Sequence, residues 1–203
     1  MEIEYENDRI SFEKELTVLD QLALDFSEIL QENNIDHVFV AGYVAILFGR
    51  SRVSEDVDII VEKISQEKFL SFWEELDEFY CHNTWDPEEA YDDYLDNEIA
   101  IRFSKEDVVI PNIEFKFANT RQQNKVLDDN IIVELNGNIL PIASLESQIS
   151  YKLYLGSEKD IEDAKYLYEI FKDKIESDKF KKYLEELSIN ISEAEEVLDD
   201  KFE

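Results

Sequence analysis

A single cysteine, Cys81, stands among the 203 residues. One thiol excludes an internal disulfide framework and a cysteine-based zinc cluster. Histidine is almost as scarce, with only His37 and His82, so a histidine-rich metal centre is excluded as well. No apolar run approaches the roughly 18 residues that a membrane-spanning helix needs, and the acidic start MEIEYENDRI lacks the apolar stretch of a secretory signal. The expectation is a soluble cytoplasmic protein with no membrane partner. Positive charge is the third shortage: Lys and Arg number 20 against 50 Asp and Glu, a net charge of −30. A field of that sign repels phosphate backbones and anionic membranes at long range, so any nucleic acid must be met by a local basic patch. A basic protein partner is easier to accommodate.

What is present is a chain that can build a core. Apolar residues make up 44%, with 13 Phe and 10 Tyr, a composition that disordered chains do not have. The length suits one domain, or one domain with a helical extension. Residues 11–32 repeat Leu16, Leu19, Leu22, Phe26 and Leu30 at helical spacing. A turn over 33–36 precedes an apolar strand over 37–42, which His37 opens, and a helix over 43–50 stops at Gly49 as its C′ residue. Residues 56–62 alternate as a strand, and 65–79 look helical, with Trp73 and its Phe neighbours in the core. The acidic stretch 81–97, with Pro87 inside it, reads as a loop, and Cys81-His82 as a loop pair without metal-binding partners. Short strands follow over 98–103, 108–110 and 112–117. Asn136-Gly137 marks a hairpin between 131–135 and 139–142. Beyond Pro141 the chain has no proline and only Gly156, and reads as three or four helices. A boundary near 142 would divide an α/β unit with its N-terminal helix (1–142) from a helical C-terminal region (143–203). The acidic end, 192–203, reads as a solvated helix end or a dock for a basic partner.

Chemistry concentrates between residues 41 and 61. On a strand, Asp56 and Asp58 point to one face, while Val57, Ile59 and Val61 face the core. Their Cα atoms lie about 6.7 Å apart, where two carboxylates repel by roughly 2.5 kcal/mol at an effective dielectric of 20. A divalent cation such as Mg²⁺ removes that repulsion. A solvent-facing strand in a chain this acidic writes the same letters, so the surroundings decide. Upstream, Gly42 lets a backbone approach phosphates at a helix start. Arg50 and Arg52, two of only five arginines, stand just before the acids. Farther on, Glu114 and Lys116 share one face of the strand 112–117. An exposed glutamate paired with a cross-strand lysine would look the same. Lys116, Arg121 and Lys125 form the other local basic cluster of the α/β part.

Ala41-Gly42 followed by Asp56-Val57-Asp58 resembles the signature of the DNA polymerase beta-like nucleotidyltransferases, a Gly-[Gly/Ser] pair and, about 9 to 13 residues later, Asp-x-[Asp/Glu]. The run Gly49-Arg50-Ser51-Arg52-Val53-Ser54-Glu55-Asp56-Val57-Asp58 is similar to the Gly-Arg-x-Arg-x-[Thr/Ser]-x-Asp-x-Asp form of the abortive-infection (AbiEii-type) toxin class. The segments with Lys152-Leu153 and Lys159-Asp160-Ile161-Glu162-Asp163 resemble that subgroup's later block. The resemblance implies an α/β (α+β) fold, a mixed β-sheet flanked by helices with a helical C-terminal region. It implies Mg²⁺-dependent (or Mn²⁺-dependent) transfer of a nucleotidyl group from a nucleoside triphosphate such as ATP. Asp56, Asp58 and Glu114 would be the catalytic, metal-binding acids. Gly42, Tyr43, Arg50, Arg52, Ser54, Lys152 and Asp160 would hold the nucleotide, while Asp163 is expected on a solvated helix face. Ala41 stands where the family has glycine, and Gly42 offers no hydroxyl, so phosphate binding would rest on backbone N–H groups. The acceptor stays open among RNA (a tRNA end, for instance), a protein hydroxyl and a small molecule, as does a place in a toxin–antitoxin or phage-defence system. The competing reading is a catalytically degenerate scaffold that serves as an acidic, antitoxin-like protein-binding module.

Overall fold

The structure is a computed structural model that describes residues 2–6 and 9–202; Glu203, the last residue of the acidic end, lies outside them. In chain order the elements are β1 (Glu4–Glu6), β2 (Arg9–Phe12), α1 (Val18–Glu32), β3 (His37–Val40), α2 (Ala41–Leu47), β4 (Asp56–Val61), α3 (Gln66–Glu74), β5 (Phe79–Cys81), α4 (Pro87–Glu89), β6 (Ile101–Lys105), β7 (Asn112–Phe117), α5 (Arg121–Asp128), β8 (Asn130–Leu135), β9 (Asn138–Ala143), α6 (Leu145–Leu155), α7 (Glu158–Phe171), α8 (Ser177–Glu186) and α9 (Ile191–Leu198). Among the described residues the strands form one mixed sheet in the order β1-β2-β8-β9-β3-β4-β7-β6-β5. Parallel pairs (β2–β8, β3–β9, β4–β7) alternate with antiparallel ones across its centre. Among the described residues no helix is long and apolar enough to cross a membrane.

Alternation decides the layers. Val57, Ile59 and Val61 of β4, Phe39 of β3, and Ile113, Phe115 and Phe117 of β7 are buried on one face. There they meet Phe26 of α1 and Phe69 and Phe72 of α3 in a dense aromatic cluster. Odd-numbered residues of β4 and β7 make this core, and the even-numbered ones face the other side. On that second face Val38, Ile60, Ala118 and Ala143 form a smaller apolar patch under Val126 and Leu127 of α5. The acids of β4 share this second face.

Several expectations are corrected by local chemistry. The first helix starts at Val18 and not at residue 11, because Thr17 caps it. Its side chain accepts the Asp20 N–H at 3.2 Å while Asp20 accepts the Thr17 N–H at 2.8 Å. Residues 9–12 pair instead with β8. The stretch 87–97 is helical, not loop: Asp86 accepts N–H groups of Glu88 and Glu89, and Pro87 sits in the first turn, where a missing N–H does no harm. Residues 108–110 are loop, and 98–100 precede β6. Gly49 does follow α2 as its C′ residue, with φ of +101°.

Phe26 touches the rings of Phe72, Phe79, Phe103 and Phe115, with centroids 5.1–6.3 Å away, and is fully buried. Phe26→Ala therefore opens a cavity at the junction of α1, α3 and the sheet. It should lower the unfolding free energy by about 3–5 kcal/mol in urea titration. A loss below about 1 kcal/mol would contradict this packing.

Candidate active site

The strand register brings the acids together. β4 and β7 run parallel with Asp56 level with Asn112 and Asp58 level with Glu114. Val40 of β3 stands opposite Asp58, and Arg102 of β6 opposite Glu114. Neighbours in register share a face, so Val40, Asp58, Glu114 and Arg102 form one row across four strands. Asp58 feels this crowding. Burial first, then the charges of Asp56 and Glu114, push its carboxyl up to about 6 against the opposing pull of Lys116 and Lys152. Asp56 accepts the Ser54 hydroxyl at 3.3 Å. Glu114 is held by a cross-strand cation, with Arg102 Nη2 at 2.5 Å from its Oε2. Among the described residues no three Asp, Glu, His or Cys side chains converge on a single cation position.

Beside the acids lies a dense set of ion pairs. Asp163 of α7 is fully buried and meets Arg50, Arg52 at 3.3 Å and Lys152 at 3.0 Å. Lys152 also reaches Asp160 at 2.7 Å, and Arg50 reaches Glu162 at 2.5 Å. Asp163 is thus the hub of a buried cluster, a correction to the solvated helix face expected for it. Burial pushes the Lys152 ammonium down against the hydrogen bond to Asp160. The Arg52 guanidinium is lowered by burial and by Arg50 beside it. Asp160 is raised by burial, but hydrogen bonds from Lys152 and Ser157 outweigh this and leave it below the ordinary value.

Arg52 also explains Gly42. A Cβ on Gly42 would overlap the Arg52 guanidinium, so the residue must lack a side chain for that arginine to lie where it does. Ala41 adopts φ of +59°, the left-handed region that costs an alanine about 1–2 kcal/mol. Gln148 of α6 holds it there from both sides: it accepts the Ala41 N–H at 3.2 Å and donates to the Ala41 carbonyl at 2.5 Å. Nothing in the local sequence points to Gln148, which lies 107 residues away. Tyr43 is set apart from the others, being fully buried with its hydroxyl donating to Asp20 at 3.1 Å. A cavity of about 410 Å³ opens beside Asp58, Ala41 and Lys116, between α5 and α6, with Tyr151 at its wall.

No protein-family model matches the chain, and no curated protein does. Solved structures do match. A nucleotidyltransferase-like antigenic protein from Paracoccidioides brasiliensis superposes with a TM-score of 0.60 at 15% identity, over 91% of this chain and 94% of that one. The fold is nucleotidyltransferase-like. The antibiotic-resistance factor ANT(2'')-Ia superposes with a TM-score of 0.51 at 12% identity, over 83% of this chain and 91% of that one. The same factor solved with adenylyl-2''-tobramycin gives 0.51 at 14%, over 83% and 97%. In this fold Ala41-Gly42 open α2 directly after β3, Asp56 and Asp58 lie at the start of β4, and Glu114 lies on β7 beside them.

The crowding at Asp58 has a measurable consequence. Its carboxyl sits near 6 when folded and at the ordinary 3.8 when unfolded, so the folded chain holds this proton more tightly. Ionised Asp58 therefore weakens the fold, fully above about pH 6 and progressively less as pH falls towards 4. Asp58→Asn should stabilise the ligand-free protein by about 1–3 kcal/mol at pH 8, with a smaller gain at pH 4. Urea unfolding of both proteins at the two pH values checks this, and an equal or absent gain contradicts it.

Proposed function

We propose that this chain is a nucleotidyltransferase that moves a nucleotidyl group from a nucleoside triphosphate to an acceptor hydroxyl at the Asp56–Asp58–Glu114 row. The observation that carries the reading is the parallel β4–β7 register, which sets Glu114 beside Asp58 on one face of a nucleotidyltransferase-like fold. The donor set suits a hard divalent cation, Mg²⁺ or Mn²⁺: carboxylates on adjacent strands, with Asp58 raised by burial first and by the charges of Asp56 and Glu114 after it. Asp56 and Asp58 would hold the ion, with Glu114 joining once it leaves Arg102. A bound divalent ion supplies neutralisation of the triphosphate and of the charge that develops in transfer.

The remaining roles fall to the chain's own groups. Transfer forms a bond from the acceptor oxygen to the α-phosphorus and breaks the bond to the leaving pyrophosphate. A Glu114 carboxylate oxygen takes the acceptor's proton. Arg52, lying over Gly42 and drawn by Asp56 and Asp58, is the cation best placed to meet phosphate. Arg50 shares Asp163 with it and would turn from Asp163 and Glu162 towards the nucleotide. Lys152 is nearly inaccessible and positions Asp160 and Asp163 rather than meeting the substrate directly. The reading as an abortive-infection type of enzyme rests on the Gly49–Asp58 motif. The adenylyl-2''-tobramycin bound to ANT(2'')-Ia makes a small-molecule hydroxyl one acceptor class to test.

Labelled nucleoside triphosphates with Mg²⁺ should label bulk RNA, protein or a small-molecule hydroxyl, and Asp58→Ala should abolish that labelling. Absence of transfer to all three classes overturns the proposal. A second measurement needs no acceptor. Arg102 and a cation compete for Glu114, and a solvent-screened ion pair of this kind is worth up to about 1 kcal/mol. Arg102→Gln should therefore tighten Mn²⁺ binding up to about fivefold in titrations followed by electron paramagnetic resonance. Unchanged or weaker binding removes Arg102 from this role, and Mn²⁺ binding that survives Asp58→Asn undamaged argues against the site itself.

A further inference from the structure

The acid rows continue outward past β6. Tyr80 of β5 is level with Ser104 of β6, and one step beyond the Phe103–Ile113 pair sets Ser104 beside Asn112, the partner of Asp56. The row through Asp58, Glu114 and Arg102 ends on His82, whose N–H donates to the Arg102 carbonyl at 2.8 Å. Tyr80 and His82 therefore share the face of the acids, three strands out, or about 14 Å. Their rings stack with centroids 4.8 Å apart and planes 5° apart, and Trp85 stacks on Tyr80 at 6.0 Å and 20°. The ladder is fixed by the Tyr80 hydroxyl donating to the Val108 carbonyl at 2.9 Å and by a 2.8 Å hydrogen bond between His82 Nε2 and the Ser104 hydroxyl.

Its outer ring is left in water. Trp85 is 82% exposed, and Val109 near it 64% exposed. Beneath them runs a groove of about 480 Å³ that Asp77, Glu78, Glu106 and Asp107 also line. The cations nearby are already engaged: Lys105 with Glu78 at 2.6 Å and Asp25 at 3.1 Å, and Arg102 with Glu114. An exposed indole face over surplus carboxylates attracts a cation through both its ring and the field, and repels a phosphate backbone. β5 is the last strand of the sheet, so its outer edge offers main-chain groups to an extended chain, and Val108–Ile110 offer apolar contact.

We infer that the Trp85 groove docks a lysine- or arginine-bearing segment of a protein partner, with the cation over the indole and its neighbours against the four acids. The docking stands on this geometry alone. Its role, delivery of a protein hydroxyl to the acids along the same face, rests on the transferase reading.

The test uses the full chain and a fluorescein-labelled nonapeptide of alternating lysine and alanine, with a nine-residue oligouridylate as comparator, read by fluorescence anisotropy. Because any cation is drawn to a chain of net charge −30, the controls must separate the groove from the overall field. Trp85→Ala should weaken the peptide about tenfold, with Trp85→Phe restoring most of the affinity. The pair Glu106→Gln with Asp107→Gln should weaken it similarly. Removing the same charge from α9, by Glu193→Gln with Glu196→Gln, should change it less than about twofold. Equal losses in the two double variants, or no dependence on Trp85, overturn the inference. Tighter, Trp85-dependent binding of the oligouridylate overturns it in favour of nucleic acid. Asp58→Asn should leave the peptide affinity unchanged. Peptide binding as expected without nucleotidyl transfer to any acceptor sinks the transferase reading and leaves the docking site. Transfer without Trp85-dependent binding does the reverse.

Discussion

The parallel pairing of β4 with β7 is the constraint on which the candidate site depends. It holds Asp58 level with Glu114, and because side chains alternate, Val57, Ile59, Ile113 and Phe115 are driven into the core in the same stroke. A slip of one residue would bury the acids and expose the aromatics, so the hydrophobic face enforces the register of the acidic one. The result is a group of like charges that the fold keeps together against their repulsion. Burial, with the charges of Asp56 and Glu114 behind it, raises the Asp58 carboxyl towards protonation, and Glu114 takes Arg102 as a partner. Both are reversible, which is what a site that exchanges a neutralising partner for a cation requires.

The second organising feature is the buried aspartate of α7. Asp163 draws Arg50 and Arg52 from the loop before β4 and Lys152 from α6 into one cluster. Burying such charges is expensive unless all are paired, and removing one partner strands the rest. The cluster therefore ties the helical region to the loop that leads into the acids. Gln148 adds a neutral tie of the same kind, by holding the strained Ala41 peptide from α6. Loop, strand and helices are thus locked together around the first turn of α2, and Arg52 lies over Gly42 there.

Much of this was legible in the residue order. Strand alternation over 56–61 and 112–117 marked both acid-bearing strands, and Asn136-Gly137 marked the hairpin between β8 and β9. The φ of +59° at Ala41 is a left-handed conformation that glycine adopts more readily, which no local pattern in the residue order announces. Other features were hidden because they depend on partners distant in the chain. Residues 11 and 12 look like a helix start until β8 is available to pair with them. Pro87 reads as a breaker unless Asp86 is recognised as a cap. Tyr43 sits among the motif residues in sequence but turns into the core towards Asp20. Asp163 carries the same local pattern as any helix-surface acid, and its burial is set by cations that arrive from residues 50–52 and 152.

The face that bears the acids is divided, and the division bears on how two substrates would meet there. Towards β3 and β9 it is covered by α5 and α6, which leave the cavity beside Asp58. Towards β6 and β5 it opens to solvent and ends in the Tyr80–His82–Trp85 ladder. Arg102 stands on the line between the halves, about half exposed and bound to the acid nearest the open side. A nucleotide drawn to Arg52 would enter from the covered half, where the cationic cluster lies. An acceptor would have to come from the open half, where the surface is acidic and aromatic. The open half is acidic and aromatic, whereas the cations of the covered half are already paired with Asp160, Glu162 and Asp163, so a triphosphate would have to displace those partners and a cationic acceptor segment would be drawn to the open half. Arg102 sits where the two would meet, and its release from Glu114 would be the local event that joins them.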